Sequence, residues 1–393
     1  MKKSILLLSA FCLVCCQKIN VPEPAPTPDP IYQNPPTATM KPRSIPALEE
    51  LTLHQKVCQL FFLRPEALEG TTTQMCMLTD KMKATFRDYP VGGFTLFAGN
   101  ITTPFQCAPF TDDLHDLGFY PLLSIDEEGG TVARIGRNTS FNVPRIGSAY
   151  DIGITGDSLK AYNAGKTIGE YLLANGFDID FAPVADVWTN PQNTVIGKRA
   201  FSTDAYTAAS MSSEFLMGLQ SEKIQGCLKH FPGHGDTSTD THYGYATTGK
   251  YWYELLECEM IPFKRGISKG AKIIMTAHVS APNVTHTDLP STLSEVMLTD
   301  KLRGELGFEG IIVTDAIEMG AISKQFSIES AAVMAVQAGA DIVLIPNDFK
   351  AGIAAIEAAV AAGEITEERI DESVARILDL KRSILESRGL LVK

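Results

Sequence analysis

The residues able to do chemistry stand just after short apolar runs. Asp126 and Glu128 follow 122–125, Asp186 follows 179–182, Lys229 and His230 follow 226–228, His278 follows 273–276 and Asp315 follows 310–314. Carboxylates, imidazoles and a lysine in that number suit acid–base and nucleophilic catalysis, because each can trade a proton or offer an electron pair. Singly, an Asp or Glu after a strand reads equally well as the N-cap of the next helix, and a lone His as a satisfied core residue. Convergence of several on one end is harder to explain as capping. The densest stretch is Lys229, His230, Phe231, Pro232, Gly233, His234, Gly235, Asp236 and Thr237, followed by Asp240, Thr241 and His242. Its glycines and Pro232 describe a shaped, movable loop. Asp240 and His242 read as a solvated polar loop or as half of a metal site, but no third or fourth ligand stands at regular metal spacing.

Elements must bring these positions together. The runs 91–97, 122–125, 179–182, 226–228, 273–276, 310–314 and 342–345 are short and almost wholly apolar, as strands buried on both faces are. Helical patterns over 157–175, 205–222, 252–268, 294–305 and 327–338 alternate with them. That alternation predicts an α/β fold with a parallel sheet. Seven strands are visible, and an eighth is expected before Ser327 or near Leu51. A (β/α)8 barrel enlarged by long loops fits residues 47–393, and in such a barrel the residues following each strand line the ligand-binding mouth. The segment 366–386 opens with Thr366, Glu367 and Glu368 and carries Ile370, Val374, Ile377 and Ile384 at helical spacing. It is expected to pack outside the barrel. Neither a second domain nor a repeat of 20–50 residues is visible.

The N-terminus has a different character. Lys2 and Lys3 precede an apolar run over 5–15, too short to span a bilayer and built like an export signal. Leu13, Val14 and Cys15 lead into Cys16, which resembles the lipobox of bacterial lipoproteins; a plain secretory signal is the alternative. Residues 1–15 are thus read as a signal peptide and Cys16 as the lipidation site. Nine prolines between Pro22 and Pro46 make 16–46 an extended tether. Cleavage before Cys16 removes two lysines and takes the formal charge from −12 to −14. An acidic chain of this kind repels phosphate backbones, so nucleic acid is not an expected partner. Of the remaining cysteines, Cys58, Cys76, Cys107, Cys227 and Cys258, none forms a Cys-x-x-Cys pair. A bridge such as Cys76 to Cys107 is compatible with an oxidising compartment, and most read as buried small hydrophobes.

The stretch 229–242 resembles the fingerprint of glycoside hydrolase family 3, in its β-N-acetylglucosaminidase branch. Ile125 to Gly130 and on to Arg134, Gly197 to Phe201, Met275 to His278, and Val313 to Met319 match in register. The likeness runs from Leu51 to the C-terminus. Glu127 stands where Gln is common and Thr131 where Arg is common.

The resemblance implies a retaining, exo-acting β-N-acetylhexosaminidase, with Asp315 as nucleophile and His242, oriented by Asp240, as acid/base. By matching position, Asp126, Arg134, Arg199, Lys229 and His230 hold the terminal sugar; Asp186, His234, Asp236 and His278 either touch it or brace the loops. A carboxylate attacking the anomeric carbon and a proton donor at the leaving oxygen are what cleavage with retention requires. The implied substrate is an N-acetylglucosamine-containing glycan, from peptidoglycan fragments or chitooligosaccharides, handled by a monomer without cofactor or metal. The implied location is the bacterial cell envelope, with a lipid anchor in the membrane. A phosphorylase using the same residues and a non-catalytic glycan-binding lipoprotein are the competing readings.

Overall fold

In the computed structural model, residues 37–239, 244 and 246–392 are described. Cys16 and the segment before it, Asp240 and His242 lie outside the described residues. Eight short strands form one parallel sheet: Phe61–Leu63 (β1), Gly93–Thr95 (β2), Leu122–Ile125 (β3), Ile179–Asp180 (β4), Gln225–Phe231 (β5), Ile273–Thr276 (β6), Ile311–Val313 (β7) and Val343–Leu344 (β8). Neighbours in sequence are neighbours in space from β1 to β7, and β8 pairs with β1 through Val343 and Phe61. Between β7 and β8, Val313 bridges Ile342, and the Thr314 N–H donates to the Ile342 carbonyl at 2.9 Å. The ring so closed, with helices around it, is a (β/α)8 barrel.

Side-chain alternation along the strands explains the unbroken apolar runs. Phe61 and Leu63 pack outward among the helices, whereas Phe62 joins Leu122, Ile179, Cys227, Ile273, Ile311 and Leu344 in a second cluster inside the ring. Strand β5 departs from this period. Its register against β6 shifts between Leu228 and Phe231. Cys227 faces in and Leu228 and Phe231 face out, so the irregularity lets the consecutive Lys229 and His230 both serve the mouth.

Three expectations need adjustment. The helix read over 252–268 is two, Trp252–Glu257 and Met260–Ser268. Pro262 has no N–H for the Cys258 carbonyl, which accepts instead from Ile261 at 3.1 Å in a tighter turn. The tether read over 16–46 ends earlier. Ala38 N–H donates to the Ala174 carbonyl, Arg43 pairs with Leu391 as an isolated bridge, and Lys41 and Arg43 both meet Asp116, so residues 38–43 are docked on the barrel. The last helix, Glu367–Ser387, does not join the outer ring alone: Ile377, Leu380, Ile384 and Leu385 cover the inner apolar cluster where the strands begin. All five cysteines in the described residues are free thiols, Cys76 and Cys107 included.

Polar anchors hold that last helix across the strand starts. Arg388 donates to Asp178 at 2.6 Å and to the Phe177 carbonyl at 2.8 Å. Burial alone would raise the Asp178 carboxyl, but His115 and Arg388 hold it well below the carboxylate range. Lys381 donates to Gln59 Oε1 at 2.6 Å and to the Phe119 carbonyl at 2.9 Å, both neutral acceptors. Burial pushes its ammonium down to about 7, and Asp178 offsets only part of that.

A pH signature follows. The unfolded chain keeps the Lys381 proton up to about pH 10.4 while the folded chain releases it from about 7, so folding stability gains as pH rises through that window. Urea unfolding of wild type should therefore strengthen between pH 7 and 10, relative to Lys381→Met, by up to about 1.4 kcal/mol per pH unit. Parallel pH profiles for the two proteins would refute the assignment.

Candidate active site

The loop after β3 supplies acids and the end of β5 supplies the lysine between them. Lys229 Nζ donates to Asp126 Oδ1 at 2.9 Å and lies 2.6 Å from Glu128 Oε1. Arg199 grips Glu128 with two bonds, Nε to Oε2 at 2.9 Å and Nη2 to Oε1 at 2.8 Å, the fork geometry that guanidinium favours. Arg134 adds a longer contact to Asp126, 3.3 Å. Burial opposes the charge of Glu128, yet Lys229 and Arg199 hold its carboxyl down to about 2. Asp126 is likewise lowered against burial, by Lys229 and Arg134, and the two acids raise Lys229 in return. Asp126, Glu128, Lys229 and Arg199 are therefore charged near neutral pH. Exposure divides them. The side chain of Asp126 is 21% exposed and those of Arg134 and Arg199 23%, against 4% for Glu128 and 2% for Lys229. Glu128 and most of Lys229 are scaffold; Asp126 and the two arginines are the accessible members of the cluster.

A second network braces the first. Asp186 accepts from His230 Nδ1 at 2.7 Å and from the His234 N–H at 2.7 Å. Arg199 Nη2 lies 3.3 Å from His230 Nε2, and since a guanidinium only donates, Nε2 is the bare nitrogen and Nδ1 carries the hydrogen. Both nitrogens of His230 are thus engaged inside the protein. His278 works similarly for Asp315. Its Nε2–H donates to the Ala316 carbonyl at 3.0 Å and its Nδ1 meets Thr292 Oγ1 at 2.9 Å, fixing the carbonyl of the residue that follows Asp315. Burial lowers the proton affinity of His278 and the Asp315 charge only partly restores it, so the ring stays neutral. The charge of Asp315 also acts on His234, whose proton affinity burial lowers all the same. Asp315 itself is half-buried, with Oδ1 accepting from the Ala316 N–H at 2.7 Å.

The structure thus brings together Asp126, Arg134, Arg199, Lys229 and His230, with Asp186, His234, His278 and Asp315 beside them. Asp236 belongs to a flanking brace, accepting from Thr248 Oγ1 at 2.9 Å. A small sheet lies beside the mouth: Ser238–Thr239 pairs antiparallel with Ala246–Thr247, which pairs with Val279–Ser280 directly after His278. Residues 239 and 246, which flank Asp240 and His242 in the sequence, are consequently held there.

Sequence reasoning passed over two acids beneath the site. Glu127 is fully buried and accepts from the N–H groups of Arg134 (2.6 Å), Ile135 (3.0 Å) and Gly136 (2.7 Å) and from the Tyr171 hydroxyl (2.9 Å). It shapes the turn that presents Arg134. Asp180, at the end of β4, accepts from the Glu127 N–H at 2.9 Å, and burial raises its carboxyl far above the usual range. The available signal was an acid inside the otherwise apolar run 179–182, which only a buried structural role explains.

Comparison with known proteins identifies relatives of this chain. The model of the glycosyl hydrolase family 3 N-terminal domain matches residues 52–380. A β-hexosaminidase A of Pseudoalteromonas piscicida is 32% identical over 346 residues, covering 81% of this chain and 57% of that relative. The β-hexosaminidase LpqI of Mycobacterium tuberculosis is 30% identical over 392 residues, covering 96% of each chain. Among solved structures, a family 3 β-N-acetylglucosaminidase from a Paenibacillus species superimposes with a TM-score of 0.80 at 37% identity, covering 87% of this chain and 64% of that one. The chain therefore spans somewhat under two thirds of the length of some relatives and nearly all of another. On its barrel, its site and the match over 52–380, the chain belongs to glycosyl hydrolase family 3.

Proposed function

We propose that the protein is a retaining, exo-acting β-N-acetylhexosaminidase that releases terminal non-reducing N-acetylglucosamine from peptidoglycan fragments or chitooligosaccharides. The observation that carries this reading is the division of labour at the mouth. An accessible acceptor and donor set, Asp126, Arg134 and Arg199, stands ready for hydroxyl and amide groups, and a separate half-buried carboxylate, Asp315, is held by His278 through the carbonyl of the next residue. Relatives named β-hexosaminidase, and a structural neighbour described as a β-N-acetylglucosaminidase, support a hexosamine as the sugar.

In this reading the terminal ring lies over Asp126, which accepts from its hydroxyls. Arg134, Arg199 and the remaining N–H of Lys229 donate to ring hydroxyls and the N-acetyl carbonyl, with His230 steadying Arg199. An Asp315 oxygen attacks the anomeric carbon as the glycosidic C–O bond breaks, and His242, oriented by Asp240, protonates the departing oxygen. His242 then takes a proton from water, whose oxygen displaces Asp315 and regenerates it. Pinning of both loop ends by the small sheet supports placing this acid/base at the mouth. The enzyme works as a monomer without a cofactor, held to the bacterial cell envelope by a lipid on Cys16.

Four tests bear on this. Asp315→Ala should abolish turnover of p-nitrophenyl β-N-acetylglucosaminide while its circular dichroism and thermal unfolding match wild type; retained turnover would remove the residue from the nucleophile role. His242→Ala should lose about 10²–10⁴-fold in kcat on substrates with poor leaving groups and much less on nitrophenyl glycosides; equal losses on both would exclude it as the acid. Free sugar is the expected product in phosphate buffer, and accumulation of N-acetylglucosamine 1-phosphate would replace hydrolysis by phosphorolysis. Cys16→Ser should move the expressed protein from the membrane to the soluble fraction, and an unchanged distribution would dismiss the anchor.

A further inference from the structure

The loops that follow β4 and β5 meet at one buried amide, the side chain of Asn193. Its Oδ1 accepts from the Ile196 N–H at 3.0 Å. Ile196 opens the tight turn Gly197–Arg199, where its carbonyl accepts from the Arg199 N–H at 2.9 Å. Arg199 Nη1 folds back on the Val195 carbonyl at 3.1 Å before the guanidinium reaches Glu128. The turn that presents Arg199 is therefore fixed by the oxygen of Asn193. On the other side, Asn193 Nδ2 donates to the His234 carbonyl at 2.6 Å and to Thr237 Oγ1 at 3.2 Å. A carbonyl only accepts and a backbone N–H only donates, so these partners settle which end of the amide is oxygen and which is nitrogen.

The segment from His234 to Thr237 lies flush against the β4 loop. A Cβ added at Gly235 would meet the Val187 carbonyl oxygen at 2.0 Å, so only glycine allows the approach. Asn190 Nδ2 donates to the Thr237 carbonyl at 3.1 Å, but its Oδ1 turns back to the Gln192 N–H within its own loop. Of the two asparagines, Asn193 is the one that also holds the Arg199 turn. Through Thr237 Oγ1, which lies 3.0 Å from His234 Nδ1, its grip extends to the His234 ring. Strand residues Ser238–Thr239 follow directly, and positions 240–242 come next in the sequence.

Resting on the hexosaminidase reading, we infer that Asn193 is a positioning residue of the reaction: one amide keeps the Arg199 turn, which serves the terminal sugar, in register with the His234–Thr237 segment, which leads to the proposed acid/base. Asn193 acts through these neighbours and touches no reacting atom. Its two duties separate chemically, because the oxygen holds the sugar-binding turn and the nitrogen holds the segment toward His242. An aspartate keeps the first duty and loses the second, since a carboxylate offers an acceptor to the Ile196 N–H but no donor to the His234 carbonyl. Alanine loses both and leaves the buried Ile196 N–H without its acceptor.

Asn193→Asp is the decisive variant. Its kcat/KM should fall at least about tenfold on phenyl β-N-acetylglucosaminide, whose leaving group needs a proton, and no more than about threefold on the p-nitrophenyl glycoside, whose leaving group needs little help. Inhibition by N-acetylglucosamine, which reports on the Arg199 side, should stay within about twofold of wild type, whereas Asn193→Ala should weaken it at least about fivefold. Thr237→Val removes the hydroxyl between Asn193 and His234 and spares the Ile196 bond. It should give the same leaving-group pattern at smaller amplitude, and serves if Asn193→Asp does not fold. A residue that merely supports the fold would lower both glycosides alike. Equal losses on the two, no loss on either, or inhibition weakened as much in Asn193→Asp as in Asn193→Ala would each overturn the inference. Wild-type protein inert on both glycosides, or a His242→Ala variant without leaving-group dependence, would instead overturn the reading beneath it.

Discussion

The site depends on one buried ammonium. Lys229 lies between Asp126 and Glu128, and without it two carboxylates would share a desolvated pocket with only Arg134 and Arg199 at their edges. Desolvation of such charges costs several kcal/mol per ion, and mutual attraction recovers that only where geometry is good and spare lone pairs are filled. Here each acid has two cationic partners, and the proton equilibria of all three groups move toward the charged form despite burial. The arrangement needs Lys229 to point inward next to His230, which also points into the mouth. A regular strand cannot supply two consecutive inward residues, so the register irregularity in β5 is part of the same solution.

From this pair of networks the remaining architecture can be understood as support. Asp186 holds His230 and the His234 backbone, His230 meets Arg199, and Arg199 closes the circuit on Glu128. His278 holds the carbonyl of the residue after Asp315. The nucleophile role proposed for Asp315 asks for such rigidity, since misplacement by about 1 Å can cost a hundredfold in rate. The proposed proton donor faces the opposite demand, because in that mechanism it serves two steps with different partners.

Much of this was legible in the amino-acid order. Strands β3 and β6 coincide with their apolar runs, and the polar residues behind each strand do converge, because strand ends in a closed barrel share one rim. What escaped has physical reasons. Strand β1 is three residues within a longer apolar stretch that also reads as the end of a helix, so periodicity could not separate the two. The split at Cys258 was masked by a continuous amphipathic pattern, although Pro262 was the clue. In the sequence Glu127 stands out only as an acid where Gln is common. Its four donors come from residues 134–136 and Tyr171, and no sequence pattern announces a backbone turn folding onto a carboxylate.

Charge is also graded along the barrel axis. At the mouth, acids have cations beside them and stay ionised. One layer down, Asp180 receives a single N–H from Glu127 and leaves Oδ2 without a partner, so burial wins and the neutral acid is favoured. That matters for the layer above: a second buried anion under Glu127 and Asp126 would repel both and weaken the hold of Lys229. The middle of the ring is apolar, with Phe62, Ile179, Ile273 and Ile311 filling it. At the far end the pattern inverts. Asp178 keeps its charge with His115 and Arg388, while Lys381, given only neutral acceptors, loses its proton readily. Ionised networks thus occur where complementary partners are present, and neutral forms where they are absent. The chain can therefore hold many titratable side chains inside one barrel, with the accessible charge concentrated at the mouth where a glycan would bind.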